Sequence, residues 1–525
     1  MRLLRYLLLA LCLTSVSAWA DTQDPVITIL HTNDTHSQVE PYVNKDGKVK
    51  GGVVERASML ELYRAQEDDE LLYLDAGDMV QGSPYFNIFD GKLEMLCMSQ
   101  QRLIATTFGN HEFDNGIAFI DSMMQWADFP ILSCNYHCDS TQIAGRVRPH
   151  LIVERKGVKI GLTGVTCDPK GLIFARHYEG IRYEDPRTAV NREAAELRRQ
   201  GCDLVIVLSH LGYIAKPRAV SKTLYDTDLA QAVQGVDIII GAHTHVNMEH
   251  GLRVSDAFGR PVFITQTGGK ANPIGYLQVR MKEGSIYPGC HYQVDSIVCR
   301  KLHPEKHDLT GRGEAMRQLI APYQAEITRQ LDGRLGTAPE MMEKGRPQSL
   351  LGNFATDALR VIGERITGKK IDVAILNVGG IRSDMLPGEV TRRQIFNIFP
   401  FENTVNVLEV KGSDLKEVID HSAGKKLEAM SGTQIELHME GNRVVAGDIK
   451  VGGEPLDPER YYTLCTINYL AEGNDGMTAL TRARSRIETG ITIRQAMMDY
   501  ITDLDAKGLK VESQLDDRII DNAHK

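Results

Sequence analysis

The sequence predicts an α/β protein with two folded halves, on three observations. From Val26 to about Thr267, short apolar runs closed by polar turns alternate with helix-like stretches, the pattern of strands interleaved with helices. A single amphipathic stretch, Gly311 to Leu331, follows. A second, mixed series of strands and helices fills residues 337 to 525. The 525 residues suit two or three domains of roughly 100–200 residues each.

Taken in chain order, residues 1–20 read as a secretory signal. Arg2 and Arg5 form a basic start, Leu7 to Leu13 an apolar run, and Ala18-Trp19-Ala20 a small-x-small cleavage site before Asp21. The run is shorter than the roughly 20 residues needed to span a bilayer, so no stable membrane anchor is expected. The residue before Cys12 is Leu11, which disfavours a lipoprotein signal. The polar end, Asp516 to Lys525, disfavours a C-terminal lipid anchor. A periplasmic or secreted protein is expected.

The first half offers strands at Val26–Leu30, Leu71–Leu74, Ile104–Phe108, Pro130–Leu132, Val158–Gly164, Leu204–Leu208, Val236–Ile240 and Val262–Thr265. Helices are expected at Ala189–Arg199 and Leu224–Val233. In the stretch from Gly311, residues Met316, Leu319, Ile320, Tyr323, Ile327 and Leu331 fall at three- and four-residue steps. It is expected to be a connector helix, or to pack as an ordinary helix of either half. The second half opens with a helix near Leu351–Ile362, a strand at Val373–Leu376 and a Gly-rich turn. Thr404–Val410, Leu415–His421 and Tyr462–Ile467 follow.

Composition bounds the function. Sixty Lys and Arg against 69 Asp and Glu leave a net charge of −9, which disfavours binding a nucleic-acid polymer by bulk charge. A small phosphorylated ligand stays open, because a few Arg residues or metal ions reverse the local field. Hydrophobic residues at 42% and charged ones at 25% exclude wholesale disorder. Eight Cys follow the signal. Cys290/Cys299 and Cys134/Cys138 are the local pairs that an oxidising compartment can bridge, with unpaired thiols the alternative. Oligomeric state is not encoded legibly.

Five apolar runs end in metal-ligand chemistry: His31-Thr32-Asn33-Asp34-Thr35-His36, Asp75-Ala76-Gly77-Asp78, Gly109-Asn110-His111-Glu112, Ser209-His210 and Gly241-Ala242-His243-Thr244-His245. Ligands of an open α/β sheet bind beyond the carboxyl ends of its strands. Asp34, His36, Asp78, Asn110, His210, His243 and His245 are therefore expected to converge. A lone Asp-x-His carries no information. All five segments, in order and each at a strand end, carry a great deal. Mixed imidazole and carboxylate donors suit borderline divalent ions, and seven are too many for one tetrahedral site. Two ions are expected, which clamp the attacking and leaving oxygens of a phosphoryl transfer. His150, His177 and His303 read as surface or packing residues.

With these motifs the sequence resembles the bacterial 5′-nucleotidase/UDP-sugar hydrolase family within the calcineurin-like metallophosphoesterases, over essentially the whole mature chain. The resemblance implies an N-terminal metallophosphatase β-sandwich flanked by helices (21–310), a linker helix (311–336) and a C-terminal mixed α/β nucleotide-binding domain (337–525). It implies that Asp34, His36, Asp78 and His245 hold one metal, and that Asp78, Asn110, His210 and His243 hold the other. Zn, Mn and Co are the expected ions. His111 and Asp114 match the family's catalytic dyad, with His111 as a ligand the alternative. In the second half, Asn377-Val378-Gly379-Gly380-Ile381-Arg382 resembles the family's Asn-x-Gly-Gly-x-Arg turn. Asn377, Gly380 and Arg382 are thus substrate-binding candidates, with Arg346 a phosphate contact at a spacing one residue shorter than usual. Phe401 and Tyr469 match the two aromatics that sandwich a base, and Asp475 the acid that accepts from ribose hydroxyls. Tyr469 stands where Phe is usual, His245 where several bacterial members have Gln, and Asn474 where a second Gly is common.

The expected activity is removal of the 5′-phosphate from nucleotides, extending to UDP-sugars. Two other readings stay open: a 2′,3′-cyclic nucleotide phosphodiesterase or related hydrolase on the same scaffold, and a non-enzymatic nucleotide- or metal-binding module. A nucleotide panel separates the first two. Complete inertness with added Mn²⁺, Co²⁺ or Zn²⁺ would favour the third.

Overall fold

The computed structural model describes residues 24–43, 47–67, 69–215, 223–270, 272–425, 427–441 and 443–523. The expected signal, residues 1–20, lies outside the described residues.

The first half is a two-sheet sandwich. One sheet has four strands in the order Tyr292–Leu302, Ile274–Glu283, Val26–Thr32 and Leu72–Asp75. The other has six, in the order Leu252–Ser255, Pro261–Thr265, Ile238–Ile240, Leu204–His210, Val158–Thr166 and His150–Arg155. Alternation along the strands sets their two faces. Ile27 and Ile29 of one sheet share a buried core with Leu204, Ile206 and Leu208 of the other. Val205 and Val207 point the opposite way, onto Ala189, Val190, Ala194 and Leu197 of the helix Pro186–Arg199. Both faces of the central strands are covered, which is why they read as unbroken apolar runs.

The strands that carry the motifs run side by side. Val26–Thr32 pairs in parallel with Leu72–Asp75, and Leu204–His210 in parallel with Ile238–Ile240. Their carboxyl ends therefore open onto one edge of the sandwich. Only Thr106–Thr107 of the expected strand Ile104–Phe108 forms, ahead of a 3₁₀ turn at His111–Phe113.

The amphipathic stretch becomes the helix Glu314–Leu331. It packs on the first half, where Met316, Ile320, Ile327 and Leu331 cluster with Val53, Ala57, Tyr85 and Leu93. The second half holds a five-stranded sheet in the order Ala429–Ser431, Val373–Leu376, Tyr461–Ile467, Thr404–Lys411 and Ser485–Thr492. A four-stranded sheet accompanies it, in the order Glu454–Pro455, Arg443–Val451, Thr433–Glu440 and Ile519–Asp521. The helix Leu350–Thr367 starts where Ser349 accepts from the backbone N–H of Gly352.

All eight cysteines among the described residues are unpaired. Cys290 donates to the backbone oxygen of Cys202 at 3.1 Å, while Cys299 sits far along the strand Tyr292–Leu302, opposite Leu277. Neither local pair is bridged. No described helix is long and apolar enough to cross a membrane.

Candidate metal centre and adjoining cavity

All seven candidate donors meet at the sandwich edge. His210 Nε2 lies 3.2 Å from Asp78 Oδ2 and 3.9 Å from Asp34 Oδ1. His245 Nε2 lies 3.3 Å from Asp34 Oδ1 and 3.0 Å from His36 Nε2, which in turn is 3.9 Å from Asp78 Oδ2. His243 Nδ1 faces Asn110 Oδ1 at 3.0 Å, and the backbone N–H of His243 donates to Asp34. Asp34–His36–His245 and Asp34–Asp78–His210 each bring three donor atoms close enough to share an ion, and so does His36–Asp78–His111.

The backbone is bent to achieve this. Asp34, His36, Asp78, His243 and His245 all have positive φ, between 47° and 69°. Left-handed geometry in non-glycine residues costs of order 1–3 kcal/mol each and persists where the surroundings enforce it. Gly109 lets two loops touch: a Cβ there would sit 2.1 Å from Asp78 Oδ1. Glu112 clamps the same loops, its carboxylate accepting from the N–H groups of Gly109, Asp78 and Met79 at 2.6–3.1 Å.

Outer partners set the tautomers. His210 Nδ1 donates to Ala76 O at 2.8 Å, and His36 Nδ1 to Gln81 O at 3.1 Å, so both Nε2 atoms face inward. His210 Nε2 is buried with no hydrogen-bond partner. Burial opposes charging His210, but Asp78 and Asp34 outweigh it and hold the ring up at about 10. Burial likewise opposes ionisation of Asp78, yet His210 and His111 keep it well below the usual carboxylate range. Burial and His210 push His243 down to about 4; burial and Arg382 lower His36. Convergent imidazole and carboxylate atoms, an orphaned inward nitrogen and enforced strain all fit a divalent metal pair.

His111 Nδ1 pairs with Asp114 Oδ2 at 2.8 Å. Burial works against its charged form, but Asp114 and then Asp78 prevail and raise it. Beside this dyad a cavity of about 470 Å³ runs between the two halves of the chain. Asn377, Gly380, Arg382, Phe401, Tyr469 and Asp475 line it from the second half. Arg382 is half-buried and donates to His36 Nε2 at 3.1 Å, and the Phe401 ring lies 5.5 Å from that of His111. Asp475 accepts from Asn377 Nδ2 at 2.9 Å and from the Tyr469 hydroxyl at 3.2 Å. A Cβ at Gly380 would lie 2.8 Å from Asn377 Oδ1 and press on the amide that holds Asp475.

Arg346 is not brought to the cavity wall. Its Nη2 donates to both oxygens of Glu428 at 2.5 and 2.6 Å, and Glu428 also accepts from Val378 N at the base of the Gly-rich turn. Arg346 therefore props the turn from behind. His177, read from the sequence as a surface or packing residue, lines the cavity, as do Phe174 and Arg176. No motif marks these three. His150 Nδ1 lies within hydrogen-bond distance of Glu193 Oε2, at 2.9 Å, and does not line the cavity.

Comparison with known proteins agrees with this layout. Residues 27–247 match the calcineurin-like phosphoesterases, and residues 330–482 match the 5′-nucleotidase C-terminal domain. Protein UshA of Yersinia enterocolitica is 26% identical, with 92% of each chain covered. A 5′-nucleotidase of Diplobatis ommata is 28% identical, over 97% of this chain and 92% of its own. A 5′-nucleotidase precursor from Thermus thermophilus, known from its crystal structure, superposes with a TM-score of 0.81 at 25% identity, covering 95% of this chain and all of that one.

Proposed function

Since the chain belongs to the 5′-nucleotidase family of calcineurin-like metallophosphoesterases and is a metal-dependent phosphoester hydrolase, we propose that it removes the 5′-phosphate from nucleotides, with UDP-sugars as a second substrate class. The observation that carries this is one cavity with the His111–Asp114 dyad on one side and Phe401, Tyr469 and Asp475 on the other.

Calcineurin-like phosphoesterases use a dinuclear divalent centre, which supplies Lewis-acid activation of a phosphoester and of water. Asp34, His36, Asp78 and His245 would hold one ion, and Asp78, Asn110, His210 and His243 the other, with Zn, Mn or Co as the pair. Phe401 and Tyr469 stack the base. Asp475, held by Asn377, accepts from the ribose hydroxyls. Arg382 reaches from the second half to His36, which places a forked cation where a phosphate would meet the donors. His111, whose charged form Asp114 favours, stabilises negative charge growing on the phosphoryl oxygens. Positioning across two halves contributes much of the rate, and their separation releases product.

The domains run over 21–310 and 337–525, joined by 311–336. Residues 1–20 direct export, to the periplasm or outside the cell. The test is phosphate release from AMP and UMP against cleavage of 2′,3′-cyclic nucleotides, with added Mn²⁺, Co²⁺ or Zn²⁺. Release from the monophosphates supports the proposal; turnover of cyclic nucleotides alone replaces it with the phosphodiesterase reading.

A further inference from the structure

The loop Asp168–His177 belongs to the phosphatase half, yet it closes the nucleoside end of the cavity. Three contacts bind it to the cradle opposite. The Phe174 ring meets Tyr469 edge to face, with centroids 5.7 Å apart and planes at 82°. Gly171 O accepts from the backbone N–H of Asp475 at 3.4 Å. Arg176 Nη1 donates to both carboxylate oxygens of Glu472, at 3.2 and 3.1 Å, and its guanidinium lies 4.4 Å from the Phe174 ring centre. Glu472 is the C-cap of the short helix Asn468–Ala471 that carries Tyr469. The loop is itself folded: the N–H groups of Leu172 and Ile173 both donate to Pro169 O.

We propose that Phe174 is a third wall of the nucleobase subsite, and that the Arg176–Glu472 pair is the latch that keeps it there. This rests on the nucleotidase reading. A base stacked on Tyr469 lies parallel to that ring. Phe174, perpendicular to it, meets such a base at its edge. The edge carries the size and exocyclic groups that separate purines from pyrimidines, so Phe174 reads base class where Tyr469 accepts any planar ring. Because the wall and the stack lie on different halves, a bound base favours the closed arrangement that also brings phosphate to the donors.

The experiment measures kcat and KM for AMP and UMP by phosphate release from the full mature chain loaded with Mn²⁺. Phe174→Ala shifts the AMP:UMP ratio of kcat/KM by about fivefold, within the range that aromatic contacts confer. Arg176→Ala and Glu472→Ala each raise KM for both nucleotides by about threefold, the scale of a partly exposed ion pair. The double variant raises it no further than the worse single, because the two act as one unit. An unmoved ratio in Phe174→Ala, with thermal melts confirming the fold, overturns the wall; Phe174→Leu serves the same comparison if the alanine variant does not fold. Unchanged KM in both singles, or effects that multiply in the double, overturns the latch. Wild-type protein inert towards both nucleotides overturns the nucleotidase reading itself, a result distinct from an active enzyme with an unmoved ratio.

Discussion

Gly109→Ala tests whether the approach of two loops positions Asp78. A Cβ at Gly109 would lie 2.1 Å from Asp78 Oδ1, 2.7 Å from its Cγ and 2.6 Å from its backbone nitrogen. The carboxylate can swing, but the backbone nitrogen cannot. Ordinary contact therefore requires the loops to part by roughly 1 Å, at a stability cost of about 1–3 kcal/mol. A displacement of that size at a reacting centre lowers turnover by about 10²-fold. The assay is kcat/KM for AMP at saturating Mn²⁺, with a thermal melt to show that the variant is folded. Gly157→Ala is the control. Its φ of +76° imposes strain, but nothing lies within 4 Å of the new methyl, so stability falls slightly and kcat does not. A folded Gly109→Ala enzyme within threefold of wild type would refute the reasoning.

Three further outcomes are expected. Glu112→Gln replaces a carboxylate that accepts from three N–H groups with an amide whose NH₂ must face one of them; stability in a urea melt falls by about 2 kcal/mol and AMP turnover by at least about tenfold. Arg382→Lys loses the planar fork, so KM for AMP rises about tenfold with a smaller change in kcat, read from initial rates. Lys301 is the pH probe: burial pushes its amine down to about 8 from 10.5. Between those values the unfolded chain binds the proton that the folded chain has released, so stability rises with pH across that window, by up to about 3 kcal/mol. Lys301→Met removes this slope, and paired urea melts at pH 7 and pH 10 measure the difference.

The donor set was legible because its chemistry and its placement share one cause. Asp34, His36, His243 and His245 directly follow apolar runs whose length and β-branched content mark strands, and parallel strands bring their ends together. Gly109-Asn110-His111-Glu112 was legible by composition, although its strand shrinks to two residues. The sandwich itself came from the family resemblance, since apolar runs alone do not say whether a sheet is single or double. The helix Glu314–Leu331 shows the limit of periodicity: it fixes which face is buried but not on which half, and the partners Val53 and Leu93 lie over two hundred residues away.

Other features were hidden for the same reason. Arg346 lay beside a recognisable helix start, but its partner Glu428 is 82 residues away and carries no local signature. Phe174, Arg176 and His177 line the cavity only because the second half packs against them, and no pattern along the chain records that approach. The left-handed backbone at five of the seven donors has no fixed sequence marker either, beyond the tolerance of Asp and His for it.

The most direct measurement of the central claim is anomalous diffraction from crystals of the mature chain grown with Mn²⁺ and a non-hydrolysable AMP analogue. Two peaks about 3.5–4 Å apart, bridged by Asp78 and facing the analogue's phosphate, are the predicted result. A lone peak away from Asp78, or none, with the analogue held elsewhere than between Phe401 and Tyr469, would contradict it.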